Sequence, residues 1–202
     1  MLYFTLQIME TEYTLVILKP DTLLRGLVGK VISKFEEVGL KLVGCKMLKA
    51  NPQVINKMYN IEDRNWVETL GNKTIEPFKE QNLDLIKLLG TDDPYEFGLK
   101  IAEQLKEYMQ MGPVVAMVWE GANAVKIVRK VRGSTVPLTA EIGSILGDFS
   151  HDSTFTAPLK NRSLRNIAHA SGSLEEAKYE IKLWFGDGYA PMEYDRTDAL
   201  FF

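Results

Sequence analysis

Three short apolar runs constrain this chain most: YTLVILKP (13–20), LKLVGCKML (40–48) and GPVVAMVWEG (112–121). The first is rich in β-branched residues and ends at Pro20, so it reads as a buried strand; the second and third read as further strands, the third the most apolar. Between them, apolar residues recur at helical spacing. Leu27, Val28, Val31, Ile32, Phe35 and Val38 form one such face, and Gly39 closes it. Asn51–Pro52 and Asp93–Pro94 each pair a capping side chain with proline at the first helical position. The first opens a helix carrying Val54, Ile55, Met58 and Tyr59; the second opens one with the stripe Phe97, Ile101, Leu105 and Tyr108. A helix over 123–131 follows the third run. The stretch RGSTVPLTAEIGSILGDF (132–149) then reads as a long loop. NIAH (166–169) predicts a short fourth strand. Ser173 and Glu176 have capping-box spacing ahead of a last helix, whose buried face is Leu174, Ala177, Ile181, Trp184 and Phe185. This order predicts an α/β fold: a ferredoxin-like sandwich with a mainly antiparallel four-stranded sheet and helices packed on it.

A chain of 202 residues suffices for one domain with insertions. The segment 71–104 is too patterned for a linker, because Phe97, Ile101 and Leu105 need burial. The net charge of −3 argues against a general nucleic-acid surface, so an anionic ligand must be held by a few placed cations. Cys45 is alone and reads as a small buried hydrophobe in a strand, which fits a reducing, cytoplasmic location. MLYFTLQIME (1–10) is too short to span a membrane and lacks the basic start of a signal peptide. Residues 1–8 read as an extra strand or as the product of an upstream start, with Met9 a natural beginning.

The chain has two histidines. His151, in SHDST, reads as a loop residue. His169 lies where a strand ends and a helix is about to begin, followed by Ala170, Ser171 and Gly172. No second histidine or cysteine cluster gives it metal-ligand spacing, and no nucleophile elbow is present. A covalent role for the ring itself remains, with small neighbours leaving one face open. Taken alone, a lone histidine is more often a plain structural or surface residue.

The surrounding residues change that balance. LVILKPD (15–21), RGLVGKVISKFEEVGLKLV (25–43), GPVVAMVWEGANAVKIVRKVRGST (112–135) and RNIAHASGSLEEAKYEIKLWF (165–185) resemble, in order, the motifs of the nucleoside diphosphate kinase family. The resemblance implies a single kinase-like domain over 1–202, with insertions at about 71–104 and 151–164. It implies transfer of the γ-phosphate of a nucleoside triphosphate to a diphosphate, through a phosphohistidine on His169, in two in-line half reactions. Mg²⁺ would be held mainly by the nucleotide phosphates, with no protein metal ligand. Glu180 would orient the ring and favour its cationic phosphorylated form, and Ser171 would help hold Glu180. Arg129 and Thr135 would bind phosphates, Arg129 through a bidentate fork. Lys19 and Asn166 would bind the ribose and terminal phosphate region, and the Tyr59 hydroxyl would reach the reacting centre. Trp66, where the family more often has Phe, would stack on the base with Leu70 beside it. Stacking tolerates any base, which implies broad specificity. The resemblance also implies a homo-hexamer or tetramer, with no membrane and no specific nucleic acid as partner.

Two positions break the pattern. Leu146, in GSILGDF, stands where the family has a phosphate-facing arginine; Arg132, Lys160 and Arg162 are the cations that could substitute. Gly172 stands where common members have Asp on the metal side of the site. A catalytically weakened relative that binds nucleotide or another protein is therefore the second reading. An unrelated ferredoxin-like regulatory domain is the third, and it leaves the histidine block unexplained.

Overall fold

The structure, a computed structural model, describes residues 11–195; the reading of residues 1–8 falls outside them. The strands are β1 (Thr11–Leu18), β2 (Lys41–Lys49), β3 (Pro113–Ala122) and β4 (Ala168–Ala170), in the sheet order β2-β3-β1-β4. All three pairings are antiparallel. The central strands β1 and β3 are apolar on both faces because both faces are covered. The two-residue period divides them cleanly. Val16, Leu18, Val115, Met117 and Trp119 enter one core, while Leu15, Ile17, Val114, Ala116 and Val118 enter the other.

Helices α1 (Pro20–Leu24) and α2 (Val28–Glu37) separate β1 from β2. Helices α3 (Pro52–Met58), α4 (Arg64–Glu80), α5 (Leu85–Leu89) and α6 (Pro94–Gln110) fill the span from β2 to β3. After β3 come α7 (Ala124–Arg132), a 3₁₀ turn (Pro137–Thr139), α8 (Ile145–Phe149) and α9 (Thr156–Leu159); α10 (Leu174–Phe185) follows β4. The first core takes Val31 and Phe35 from α2, Val128 from α7, and Ile145 and Leu146 from α8. The second takes Ile55 from α3, Met109 from α6 and Trp184 from α10.

Asn51 and Asp93 cap α3 and α6 as their sequence predicts, accepting from the Gln53 and Glu96 N–H groups. The stretch read as one long loop holds α8, capped by Ser144. Its apolar pair Ile145–Leu146 is buried under α7, which a short Gly-flanked run does not reveal.

Two burial expectations are corrected. Cys45 is exposed. It lies on the edge strand beyond a bulge at Val43, which buries Val43 in the second core and sets Cys45 and Met47 opposite Met117 and Val115 at the uncovered margin of the sheet. Leu174 is also exposed, since it is the first residue of α10 and precedes the part of the helix that packs on the sheet.

A third, smaller core joins α4, α5 and α6: Ile75, Phe78, Leu89, Phe97 and Ile101, with Leu70 beside them. Phe155 stacks on Phe78 with ring centroids 4.5 Å apart. The two segments expected to be extra therefore meet. Gly71 and Gly98 let α4 and α6 approach closely: a Cβ on Gly98 would sit 2.1 Å from the Val67 carbonyl oxygen.

Candidate active site

His169 is the middle residue of β4, paired opposite Ile17. Its neighbours Ala168 and Ala170 are buried in the first core, so the ring projects from the other face. There its edge meets Tyr59, with centroids 6.4 Å apart.

The chain reaches β4 through a strained turn. Ile167 has φ 45°, a conformation rare for a β-branched residue, and the Ala168 N–H closes the turn onto the Asn166 carbonyl. Such strain costs on the order of 1–3 kcal/mol and persists only where surrounding contacts enforce it. Here the Ile167 carbonyl accepts from the Lys19 N–H at 2.7 Å and from the Thr22 hydroxyl at 2.6 Å. Those bonds fix the start of β4 against the end of β1.

Glu180, on α10, is 1% exposed. Its Oε1 accepts from His169 Nε2 at 2.7 Å and its Oε2 accepts from the Ser171 hydroxyl at 2.5 Å. An ionised carboxylate only accepts, so Nε2 carries the proton and Nδ1 carries the lone pair. Helix α10 starts where Ser173 accepts from the Glu176 N–H at 3.1 Å. The Glu176 carboxylate takes the Gly172 N–H at 2.7 Å, one residue before the donor that a regular capping box would use.

A thread of hydrogen bonds runs beside this relay. Lys19 Nζ donates to Asn166 Oδ1 at 2.7 Å, Asn166 Nδ2 to the Thr135 carbonyl at 3.0 Å, and Arg132 Nη2 to the Thr135 hydroxyl at 2.8 Å. Lys19 is 4% exposed and Arg132 5%. Burial lowers the Lys19 pKa to about 7; Asp21 opposes this and Arg132 adds to it. Burial, with Arg129 nearby, lowers Arg132 to about 10. Neither cation forms an ion pair with a carboxylate among the described residues. Arg129 is exposed, with Nη1 3.5 Å from where a Cβ on Gly172 would stand.

The Tyr59 hydroxyl is buried and has no hydrogen-bond partner among the described residues. Burial and the nearby Glu180 charge raise its pKa. Trp66, half-buried on α4, lies 6.3 Å from Tyr59 between ring centroids. Leu70, one turn further, packs on the third core.

The structure thus brings together His169, Glu180, Ser171, Tyr59, Lys19 and Asn166, with Thr135 and Arg132 on the same thread and Arg129 near Gly172. Leu146 is wholly buried in apolar surroundings. Arg162 is engaged by Asp152 through two bonds, at 2.5 and 3.0 Å, while Lys160 and His151 are exposed. A surface cavity of about 800 Å³ shares Arg129 with the site but is lined by Lys34, Glu141 and Ile142 rather than His169.

Sequence reasoning missed Asp21 and Tyr108. The Tyr108 hydroxyl donates to Asp21 at 2.6 Å, and its ring lies 5.2 Å from Lys19 Nζ. Tyr108 reads in sequence only as part of a helical stripe. Glu176 reads only as a cap, yet one donor atom each of His169, Glu176 and Glu180 lie within 4.8 Å of one another. Glu180 is committed to His169 and Ser171, and Glu176 to Gly172. The carboxylates of this group therefore already accept hydrogen bonds from protein donors.

Comparison with known proteins bears on the same residues. The family model described as nucleoside diphosphate kinase matches residues 12–76 and 97–189, leaving 77–96 as extra chain around α5. A nucleoside diphosphate kinase from Pyrobaculum aerophilum is 46% identical over 88% of this chain and 96% of its own length. The crystal structure of an NDP kinase from that organism superposes with a TM-score of 0.82, at 44% identity, covering 88% of this chain and 97% of the other. A Borrelia burgdorferi nucleoside-diphosphate kinase, solved as a transition-state mimic with vanadate and ADP, gives a TM-score of 0.72 at 32% identity, covering 94% and 95%. With its antiparallel sheet, its histidine strand and these relatives in agreement, the chain belongs to the nucleoside diphosphate kinase family.

Proposed function

We propose that His169 carries the phosphoryl group between nucleotides. Nδ1 attacks the γ-phosphorus of a nucleoside triphosphate in line, the bond to the β–γ bridging oxygen breaks, and the diphosphate leaves with that electron pair. The second half reaction reverses these bonds with a different diphosphate. Glu180 stabilises the cation that the phosphorylated ring becomes, and Ser171 keeps the carboxylate aimed. Lys19, Arg129, Thr135 and Asn166 hold phosphates and ribose, the Tyr59 hydroxyl reaches the reacting centre, and Trp66 with Leu70 supports the base without selecting it. Mg²⁺ would be held mainly by the nucleotide phosphates and would shield their charge, with Glu176 the exposed carboxylate near His169 that would face it.

The observation that carries this reading is the Glu180 bond to Nε2, which leaves Nδ1 as the nucleophile; Lys19 and Arg132, buried and without carboxylate partners among the described residues, lie on the adjoining hydrogen-bond thread. The ADP and vanadate bound to the Borrelia relative are the ligand class this site would accept. A single incubation with γ-labelled ATP and Mg²⁺, then a GDP chase, tests it. Acid-labile label near one per chain, passed to GDP and absent in His169→Ala, is the expected result. Failure to label despite bound nucleotide would favour the weakened relative, the reading that the apolar burial of Leu146 supports.

The proposal extends to one domain, with 77–96 an insertion within the expected 71–104 and 151–164 a second one packed against it through Phe155. It extends to a homo-oligomer, supported by the exposed apolar side chains of Leu138 and Ile142. No helix of the described residues is long and apolar enough to cross a membrane, and a cytoplasmic location belongs to the same proposal.

A further inference from the structure

We propose that Arg132 is the arginine that grips the transferred phosphoryl group, supplying the charge that position 146 lacks. This rests on the kinase reading above. Removing a guanidinium from water is unfavourable unless an anion or a full set of acceptors replaces the solvent. Arg132 is 5% exposed, yet it meets no carboxylate among the described residues. Its hydrogen bonds go to the Gly133 carbonyl, through Nε at 3.3 Å and Nη2 at 3.2 Å, and to the Thr135 hydroxyl at 2.8 Å. Those bonds use Nε and Nη2 and leave Nη1 without an acceptor among the described residues, though not sealed from solvent, so one arm of the fork is open to a ligand.

Its position supplies the missing partner. Arg132 ends α7 and acts electrostatically on both Lys19 and Tyr59, the groups next to His169. Lys19 Nζ lies 6.0 Å from the Tyr59 ring centroid, Arg132 joins the same hydrogen-bond thread through Thr135, and the Tyr59 hydroxyl has no partner among the described residues, so oxygens that arrive with a ligand would serve all three. A phosphoryl group beside Nδ1 brings such oxygens, and a guanidinium grips them with two parallel bonds. Helix α8 cannot do this, because Leu146 is sealed among Val128, Ile145 and Ile167. Arg162 cannot, because Asp152 holds it.

The role predicts an unusual pair of effects. Arg132→Met should slow His169 phosphorylation by about 10²–10³, the cost of losing one preorganised donor. It should leave the melting temperature without nucleotide unchanged or higher, because a buried charge with no carboxylate partner among the described residues has been removed. Free guanidinium should restore part of the lost rate in Arg132→Ala. Labelling of Arg132→Met within about threefold of the wild type would overturn the proposal. So would a rate loss that comes with a marked fall in melting temperature and no guanidinium rescue, which would assign Arg132 to folding. Titration with a non-hydrolysable triphosphate analogue reads the residue without turnover: Kd should rise at least about tenfold, and an unchanged Kd overturns the proposal even if the wild type takes no label. A wild type that binds the analogue through Arg132 but takes no label would instead sink the kinase reading alone.

Discussion

Glu180 Oε1 bonds His169 at Nε2, at 2.7 Å, so in the proposed reaction Nδ1 is the attacking nitrogen. Replacing the carboxylate by an amide keeps the volume but removes the charge that favours the phosphorylated ring. Glu180→Gln should lower the rate of His169 phosphorylation by about 10²-fold, within the range for one electrostatic stabiliser. Ser171→Ala removes only the 2.5 Å bond that aims Glu180, so its loss should be smaller. Rapid-quench labelling of the two variants gives the order; a Ser171→Ala defect equal to that of Glu180→Gln would contradict it.

Lys19 gives the site a pH signature. Its folded pKa is lowered from 10.5 to about 7, chiefly by burial. Between those values the unfolded chain binds more protons than the folded one, so stability without nucleotide rises with pH across that window. Below about pH 7 the buried charge exerts its full destabilising effect. Lys19→Met should therefore raise the melting temperature most at pH 7 and below, with the gain fading towards pH 10. Phosphate oxygens favour the charged amine, so nucleotide binding at pH 8 should take up protons. Calorimetry in two buffers of different ionisation enthalpy measures that uptake.

Strands β1 and β3 were legible because alternation on a doubly covered strand leaves an unbroken apolar run. The edge position of β2 was not, since an edge and a centre differ in their neighbours and not in their own spacing; Cys45 was misread for that reason. The Phe97–Ile101 stripe announced a docking face but not its partners, Phe78 and Leu89, which approach from other helices. At the site, the family resemblance pointed to His169, Glu180 and Lys19, and the structure sets His169 against Glu180 with Lys19 across the Tyr59 ring. The resemblance could not choose among Arg132, Lys160 and Arg162, because that choice depends on whether Asp152 reaches Arg162. The φ of Ile167 was equally hidden, being enforced by bonds from Lys19 and Thr22 far away in sequence.

The close crossing of α4 and α6 makes a separable prediction. A Cβ at Gly98 would meet the Val67 carbonyl oxygen at 2.1 Å, and one at Gly71 would meet the Pro94 carbonyl oxygen at 1.8 Å. Both obstacles are backbone, so neither helix can yield without moving. Gly98→Ala should destabilise the protein by about 1–3 kcal/mol, as overpacking does. Because α4 carries Trp66 while His169 stands on the sheet, the KM for nucleotide should rise more than kcat falls. Hydrogen exchange should quicken over 64–110 and stay unchanged in β1 and β3. Equal loss in kcat and kcat/KM would show that the helix pair supports the chemistry rather than the base.

Tyr59 separates a ligand-facing hydroxyl from a core aromatic. Its ring packs on the second core, while its hydroxyl is buried without a partner among the described residues. A buried hydroxyl that bonds nothing contributes no stability, and removing it also removes its desolvation penalty. Tyr59→Phe should therefore leave the melting temperature of the nucleotide-free protein unchanged or slightly higher. A structural tyrosine would show the reverse. If the hydroxyl instead meets the reacting phosphoryl group, the same variant should slow His169 phosphorylation by about tenfold, the value of one hydrogen bond to a charged group. Stability held with rate lost places the hydroxyl at the reacting centre. Stability and rate both held would make Tyr59 only the aromatic wall between His169 and Trp66, with ring centroids 6.4 and 6.3 Å away.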